Sequence, residues 1–249
     1  MTTTTDIAQV RPITRQVATT LAREENRRMV DLLASLAGAD WNRPTDCTAW
    51  DVRALAGHVL GGFEDFTSFP AVARMLRRAK RAAGDRPLTD GMTEVQVGER
   101  AHLSTDELVA RARAAAPRQV RFRARVPRLL RLAPMKQPVG GVEETWRLGY
   151  LLETILTRDT WMHRVDLTRA CGRPLELTAD HDGVLVADVV AEWARRHARP
   201  CALELTGPAG GSYVLGTGGE VITLDAVEFC RILSGRASGA GLLAQEVPF

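Results

Sequence analysis

The pattern of apolar residues changes near residue 175, and this change limits the possible folds more than any other feature of the sequence. Before it, apolar residues recur every three or four positions, as in amphipathic helices. After it, one helical stretch, DHDGVLVADVVAEWARRH, is followed by the short runs CALELTG, SYVLG and EVITL, with glycine-rich turns between them. The sequence therefore predicts an α+β protein with a helical domain in residues 1–175 and a small α+β domain in residues 176–249.

Four substantial helices are predicted in residues 1–175. The first two lie in QVATTLAREENRRMVDLLASL and AWDVRALAGHVLGGFEDF, and a capping box of Ser104 and Glu107 opens the third. The fourth runs from about Val142 to Ala170, and Gly172 just after it is a residue that commonly terminates a helix. Before it, prolines predict an irregular basic segment; they are Pro117, Pro127, Pro134 and Pro138. Four helices with long connections predict a four-helix bundle.

The composition excludes several classes of protein. Apolar residues make up 45% and charged residues 25% of the 249 residues, which is typical of a globular protein. No apolar run approaches the roughly 18–20 residues that span a bilayer, and the first residues, MTTTTDIAQVRP, lack the pattern of a secretory signal. The four cysteines are scattered, which favours reduced thiols over disulfides or a thiolate zinc site. We therefore expect a cytoplasmic protein without a membrane partner.

Charge is distributed unevenly along the chain. The net charge is +3, yet residues 74–136 contain 16 Lys and Arg against 6 Asp and Glu. Between Glu107 and Glu143 there is no acidic residue. The basic region, residues 108–136, is either a solvated connection or an electropositive rim that attracts a small anionic substrate. Nucleic acid is not the expected partner, because the region has few aromatic residues and no helix-turn-helix or zinc-finger pattern accompanies it.

One face of the fourth helix changes from apolar to polar along its length. Three leucines spaced by four residues are followed on the same side by Asp159, His163 and Asp166. Burying such groups costs on the order of several kcal/mol unless each is paired or binds a metal. Two interpretations remain open. Asp159 and His163 either hydrogen-bond each other or face solvent, or both bind one metal ion, because side chains at i and i+4 project side by side. For Asp166, pairing with His163 and pairing with Arg164 or Arg169 are equally open.

A histidine on the second helix favours the metal interpretation. His58 lies in line with Leu55 and is followed by Gly61 and Gly62, which predicts open space beside the imidazole. Two histidines on separate helices and one carboxylate would supply three protein ligands across a bundle core. Such a set leaves one coordination position open, which is the pattern of a catalytic rather than a structural zinc site.

Two motifs resemble those of a known family. WNRPTDCTAWDVRALAGHVL, followed about a hundred residues later by RDTWMHRVDL, is similar to the mycothiol-dependent maleylpyruvate isomerase family. The tail, from CALELTGPAGGSYVLG to EVPF, resembles the C-terminal domain of that family. The resemblance implies a DinB-like metal-binding four-helix bundle and the metal ligands His58, Asp159 and His163. Asp159 stands where the family has Glu, so its carboxylate is one methylene shorter.

The resemblance also implies a function. It implies a divalent metal, expected to be Zn²⁺, with mycothiol as the thiol cosubstrate and a maleylpyruvate-like unsaturated acid as the substrate. Thiol addition, bond rotation and thiol loss would convert the cis isomer to the trans isomer. The family also uses an arginine of its C-terminal domain, for which Arg231 and Arg236 are the candidates. Two alternatives stay open: an S-transferase that conjugates mycothiol to an electrophile, and a non-catalytic protein that binds a metal or another ligand.

Overall fold

A computed structural model of the chain describes residues 4–249, which divide into two compact units. The helical unit covers Thr14–Pro174, and the C-terminal unit covers Leu175–Phe249 together with the segment that ends at Ile13. This N-terminal segment differs from the predicted division, which assigned it to the helical domain. The reason is that its short strand β1 (Thr5–Asp6) pairs with a strand of the C-terminal unit, so that main-chain hydrogen bonds hold it there.

The helical unit contains the predicted four-helix bundle. Its helices are α1 (Arg15–Ser35), α2 (Val52–Asp65), α3 (Phe69–Ala83), α4 (Leu88–Gly98), α5 (Thr105–Arg125), α6 (Leu148–Tyr150) and α7 (Leu156–Ala170). A π-helical turn, Leu151–Ile155, joins α6 to α7. α1, α2, α5 and α7 contact one another in adjacent pairs and form the bundle, while α3 and α4 pack together beside α2. Within residues 4–249, no helix is long and apolar enough to cross a membrane.

The bundle is stabilised by aliphatic side chains on the inner faces of its helices. α2 is buried along most of its length and packs with Met29 and Leu33 of α1, Leu108 of α5 and Leu167 of α7 in one continuous core. Full burial of a side chain of this size contributes about 1.5–3 kcal/mol. Apolar packing therefore holds α2 against α7.

α5 extends further than the sequence predicted. Its capping box is formed as predicted, because the Glu107 N–H donates to the Ser104 hydroxyl and the Ser104 N–H donates to the Glu107 carboxylate. The helix then continues through Pro117 to Arg125, so the prediction of an irregular segment is wrong for these residues. Val120, just after the proline, is buried against the bundle. Tertiary packing thus outweighs the cost of a proline in a helix interior.

A β-hairpin replaces the first part of the fourth predicted helix. Its strands are β2 (Pro134–Val139) and β3 (Val142–Arg147), so the predicted helical start is wrong by six residues. Gly140 and Gly141 have φ values of 54° and 78°, which a tight two-residue hairpin turn requires. The two prolines of β2 are tolerated because a two-stranded hairpin leaves its outward-facing main-chain positions unpaired.

The C-terminal unit is a small sheet with helices packed beside it. Its elements are α8 (Val184–His197), β4 (Cys201–Thr206), β5 (Gly211–Leu215), β6 (Glu220–Asp225) and α9 (Ala226–Leu233). The three strands predicted from the sequence are therefore confirmed. The strand order is β1-β5-β4-β6, with β4 antiparallel to β5 and parallel to β6. Trp193 of α8 and Phe229 of α9 pack edge to face, with ring centroids 5.3 Å apart.

Replacing Pro117 by alanine should stabilise the helical unit. Pro117 is exposed on α5, so Pro117→Ala removes the clash with the preceding turn and leaves the core unchanged. Proline in a helix interior costs about 3 kcal/mol relative to alanine, and the larger entropy of the unfolded variant offsets up to about 1 kcal/mol of that gain. We expect the free energy of unfolding, measured in urea, to rise by about 2 kcal/mol.

Pro70→Ala is the matched control for this substitution. Pro70 lies in the first turn of α3, where a proline sacrifices no helical hydrogen bond. Its replacement should not raise the free energy of unfolding. A Pro117→Ala protein no more stable than the Pro70→Ala protein would contradict the expected strain in α5.

Candidate metal centre

His58, Asp159 and His163 lie together where α2 contacts α7. His58 is in the middle of α2, and Asp159 and His163 are one turn apart on α7. One ligand atom from each residue lies within 4.8 Å of those of the other two. The structure thus brings together the three residues that the sequence analysis named as metal ligands.

Asp159 lies between the two imidazoles. Its Oδ1 is 3.3 Å from Nε2 of His163 and 3.7 Å from Nε2 of His58. The two rings are nearly perpendicular, with centroids 4.9 Å apart. The histidine side chains are buried, whereas that of Asp159 is 33% exposed. The cluster is therefore closed around the imidazoles and reaches solvent at Asp159.

The other ring nitrogen of His163 contacts Asp166. Nδ1 lies 2.9 Å from Oδ2 of Asp166, whose side chain is completely buried. The Cys47 thiol donates to the same oxygen at 3.6 Å. With an ionised carboxylate as acceptor, Nδ1 is the donor, so a neutral imidazole presents the lone pair of Nε2 to Asp159. Of the pairings left open for Asp166, the structure supports the one with His163, an arrangement that orients metal-binding histidines.

His58 has one ring nitrogen without a partner. Its ring stacks on that of Trp50, with centroids 5.0 Å apart and an angle of 29° between the planes. Its Nδ1 is buried and makes no hydrogen bond to any of residues 4–249. An unsatisfied buried polar atom costs about 1–3 kcal/mol. The nitrogen that faces Asp159 is the other one, Nε2, so Nε2 is the candidate ligand atom of His58.

The charges in the cluster shift two pKa values in opposite directions. Burial alone would raise the pKa of Asp159, but the nearby imidazoles of His163 and His58 hold it well below its usual range. Burial alone would lower the pKa of His163, but Asp159 and Asp166 raise it well above its usual range. Asp159 and His163 therefore form an ion pair. A divalent cation would take the place of the proton on Nε2 of His163.

This donor set fits a divalent metal. Two imidazoles and one carboxylate are ligands that Zn²⁺ accepts, and three protein ligands leave a fourth position for water or substrate. The carboxylate that orients a ligating histidine is also present, in Asp166. Cys47, His163 and Asp166 form a second group with ligand atoms within 4.8 Å of one another. In that group the imidazole already hydrogen-bonds the carboxylate, so the first group is the better candidate.

The two glycines after His58, Gly61 and Gly62, have different surroundings. A Cβ at Gly61 would lie 2.5 Å from Cγ of Gln96 on α4, whereas a Cβ at Gly62 would meet nothing within 4 Å. The prediction that Gly61 opens space beside the imidazole is therefore wrong. Gly61 is required because α4 packs closely on α2 at this point.

Arg231 and Arg236 belong to the C-terminal unit. Arg231 lies on α9, and its guanidinium donates to Glu228 at 2.6 Å. Gly235 has a φ of 76°, and the N–H of Arg236 donates to the carbonyl of Arg231 at 2.9 Å. The two residues thus close the end of α9 in a Schellman motif.

A buried ion pair next to the cluster was not predicted from the sequence. The guanidinium of Arg164 donates to both carboxylate oxygens of Glu25, at 2.7 and 3.1 Å. Glu25 lies on α1 and is completely buried, so this bidentate pair ties α1 to the helix that carries Asp159 and His163. The sequence does not indicate which of the adjacent Glu24 and Glu25 is buried, because both are acidic. In the structure Glu24 pairs with the exposed Arg27.

A known protein family matches the part of the chain that contains this cluster. The family model described as the mycothiol maleylpyruvate isomerase N-terminal domain matches residues 22–168, which is more than half of the chain. His58, Asp159 and His163 all lie inside the matched range. No curated protein matches the sequence.

Two solved structures resemble nearly the whole chain. They are crystal structures of the mycothiol-dependent maleylpyruvate isomerase and of a variant with a histidine replaced by alanine. Both align with a TM-score of 0.58 and 16% sequence identity, over 94–95% of this chain and 93–94% of theirs. At this identity the likeness shows the fold, and it confirms the predicted α+β class with a DinB-like bundle.

The raised pKa of His163 predicts how the stability of the metal-free protein depends on pH. The folded state binds this proton more tightly than the unfolded state, whose pKa is near 6.5. The resulting stabilisation is complete below that pH and is lost as the pH rises through the folded value. We expect the free energy of unfolding in urea to decline as the pH rises above about 6.5, by about 1.4 kcal/mol for each unit of pKa difference.

Two histidine variants test this assignment. His163→Gln removes the titrating group, so the decline should disappear from its stability profile. His102→Gln removes an exposed histidine outside the cluster and should keep the decline of the unmodified chain. Equal slopes in the two variants would show that another group causes the pH dependence.

Proposed function

Because the chain belongs to the mycothiol maleylpyruvate isomerase N-terminal domain family, we propose that it is a metal-dependent enzyme that uses mycothiol as a cosubstrate. The proposed reaction is the cis–trans isomerisation of a small unsaturated acid related to maleylpyruvate. The observation that carries the proposal is the convergence of His58, Asp159 and His163 in one cluster that reaches solvent. A cytoplasmic location is part of the proposal.

His58, Asp159 and His163 would hold the metal. Bound there, a divalent ion such as Zn²⁺ would lower the pKa of a thiol that reaches it. Asp166 keeps His163 in one tautomer and directs its Nε2 toward Asp159. Trp50 stacks on His58 and restricts rotation of that ring. The partly exposed carboxylate of Asp159 marks the side from which a thiol and a substrate would enter.

Arg231 and Arg236 are the proposed partners of the substrate carboxylates. A guanidinium presents two parallel N–H donors that match a carboxylate, which suits an acid substrate. Arg231 already donates to Glu228, so a substrate would compete with that carboxylate. The exposed arginines of α5 would add a long-range attraction for an anion, which depends on ionic strength.

An S-transferase is the alternative that uses the same site. Asp159 stands where the family has a longer carboxylate, and this change would move the position of an ion by about the length of one C–C bond, roughly 1.5 Å. Isomerisation returns the thiol after each turnover, whereas conjugation consumes one thiol for each product. The balance of thiol therefore separates the two reactions.

Asp159→Asn should weaken metal binding while the fold persists. The substitution keeps the shape of the side chain but removes the charge that helps to offset a divalent cation. We expect the affinity for Zn²⁺, measured by competition with a chelator, to fall by at least about tenfold. The melting temperature of the metal-free protein, measured on the same preparation, reports on the fold.

Asp31→Asn is the matched control for metal binding. Asp31 is exposed on α1 and pairs with Arg27, so its replacement removes the same charge outside the cluster. Its Zn²⁺ affinity should equal that of the unmodified chain. An unchanged affinity in Asp159→Asn would remove Asp159 from the ligand set.

The thiol balance tests the proposed reaction directly. With mycothiol and maleylpyruvate, the metal-loaded protein should form the trans isomer without a net loss of thiol, as measured by chromatography and thiol titration. His58→Ala should reduce turnover by at least about tenfold, whereas His102→Ala should not. A stoichiometric loss of thiol with an electrophile would favour the S-transferase. A metal-loaded protein without thiol-dependent turnover of either kind would favour the non-catalytic binding protein.

A further inference from the structure

A cavity in the helical unit lies apart from the metal cluster. It is an open cleft lined by β3, the turn at Leu130–Leu132 and the helical segment from α6 to the π-helical turn, and its volume is about 780 Å³. Small-molecule pockets in proteins have volumes of about 300–1,000 Å³. Thr154, the lining residue closest in sequence to Asp159, precedes it by five residues, which is roughly one and a half helical turns. No residue of the metal cluster lines the cavity, so the two sites have no residue in common.

Two aromatic side chains form one wall of the cavity. The rings of Trp146 on β3 and Tyr150 on α6 pack edge to face, with centroids 5.1 Å apart. The indole Nε1 of Trp146 donates to Glu144 at 2.9 Å, which fixes the orientation of that ring. Leu132 adds an aliphatic side chain that is 55% exposed. This wall presents apolar surface to a flat, conjugated ligand.

The charges that line the cavity are mostly positive. Arg128 and Arg147 line it and are exposed, and within residues 4–249 neither guanidinium forms an ion pair. The guanidinium of Arg15 donates to main-chain carbonyls at the end of α5, which leaves its charge uncompensated. Glu153 also lines the cavity, but Arg131 neutralises it at 2.5 Å. Donors suited to a carboxylate are therefore free beside the aromatic wall.

The back of the cavity is held in place by close packing. The N–H of Leu148 donates to the carbonyl of Ala133 at 2.9 Å, which ties α6 to the preceding turn. A Cβ at Gly149 would lie 3.3 Å from both Cβ and the carbonyl oxygen of Arg131. Arg131 is itself buried. The back of the cavity is thus fixed by packing within the helical unit, which limits the entropy lost on binding.

We propose that this cavity is a second binding site, which takes a planar conjugated carboxylate. The conjugated part of the ligand lies against Trp146 and Tyr150, and its carboxylate accepts hydrogen bonds from Arg128 and Arg147. The site is separate from the metal cluster and does not rest on the proposed function.

Calorimetric titration of the full chain with trans-cinnamate tests the proposal. Cinnamate should bind at a single saturable site, and the neutral cinnamyl alcohol should bind at least about tenfold more weakly, because it lacks the charge. The double variant Arg128→Gln/Arg147→Gln should lose affinity for cinnamate by at least about tenfold. Arg113→Gln, which removes an exposed arginine of α5 outside the cavity, should bind cinnamate as the unmodified chain does.

Two further variants separate this site from the metal cluster. Trp146→Leu should weaken cinnamate binding, whereas His58→Ala should leave it unchanged. Loss of binding in His58→Ala with retention in the double arginine variant would place cinnamate at the metal cluster and overturn the proposal. No saturable binding of cinnamate to the unmodified chain would overturn it as well. Because Arg128 and Arg147 are exposed, the double arginine variant should have a melting temperature close to that of the unmodified chain.

Discussion

The completely buried carboxylate of Asp166 is the constraint on which the candidate metal centre depends. A buried charge is tolerated only if hydrogen bonds replace its lost hydration, and Asp166 interacts with Nδ1 of His163 and the thiol of Cys47. The bond to Nδ1 directs Nε2 of His163 toward Asp159, which also faces His58. One buried charge on α7 thus fixes the orientation of His163 toward the second carboxylate of the cluster.

The interactions that stabilise the bundle differ from those that form the cluster. Aliphatic packing between α2 and α7 supplies the stability and brings His58 to the helix that carries Asp159 and His163. The cluster itself contains the half-buried ion pair of Asp159 and His163, which is weak evidence for stability, and an imidazole nitrogen of His58 without a partner in residues 4–249. A protein keeps such costs where the groups bind something, and the surrounding core offsets them.

The helical segment from α6 to α7 serves both proposed sites. Its π-helical turn, Leu151–Ile155, contributes Glu153 and Thr154 to the lining of the cavity, and Asp159 and His163 of the metal cluster follow on α7. A π-helical turn changes the angular register of a helix, and such turns are frequent at functional sites. Glu153 therefore faces the cavity, where Arg131 neutralises it, whereas Asp159, further along, faces the imidazole of His58.

The sequence by itself determined the features that depend on local pattern. The spacing of Asp159 and His163, the capping box at Ser104 and the three strands of the C-terminal unit follow from periodicity and from side-chain chemistry within a few residues. Only the tertiary structure decided the path of α5 through Pro117, the pairing of β1 with β5, and the burial of Glu25 rather than Glu24. Each of these outcomes depends on residues far away in the chain. The free energy of packing against them exceeds local preferences of about 1–3 kcal/mol, and no short stretch of sequence contains that information.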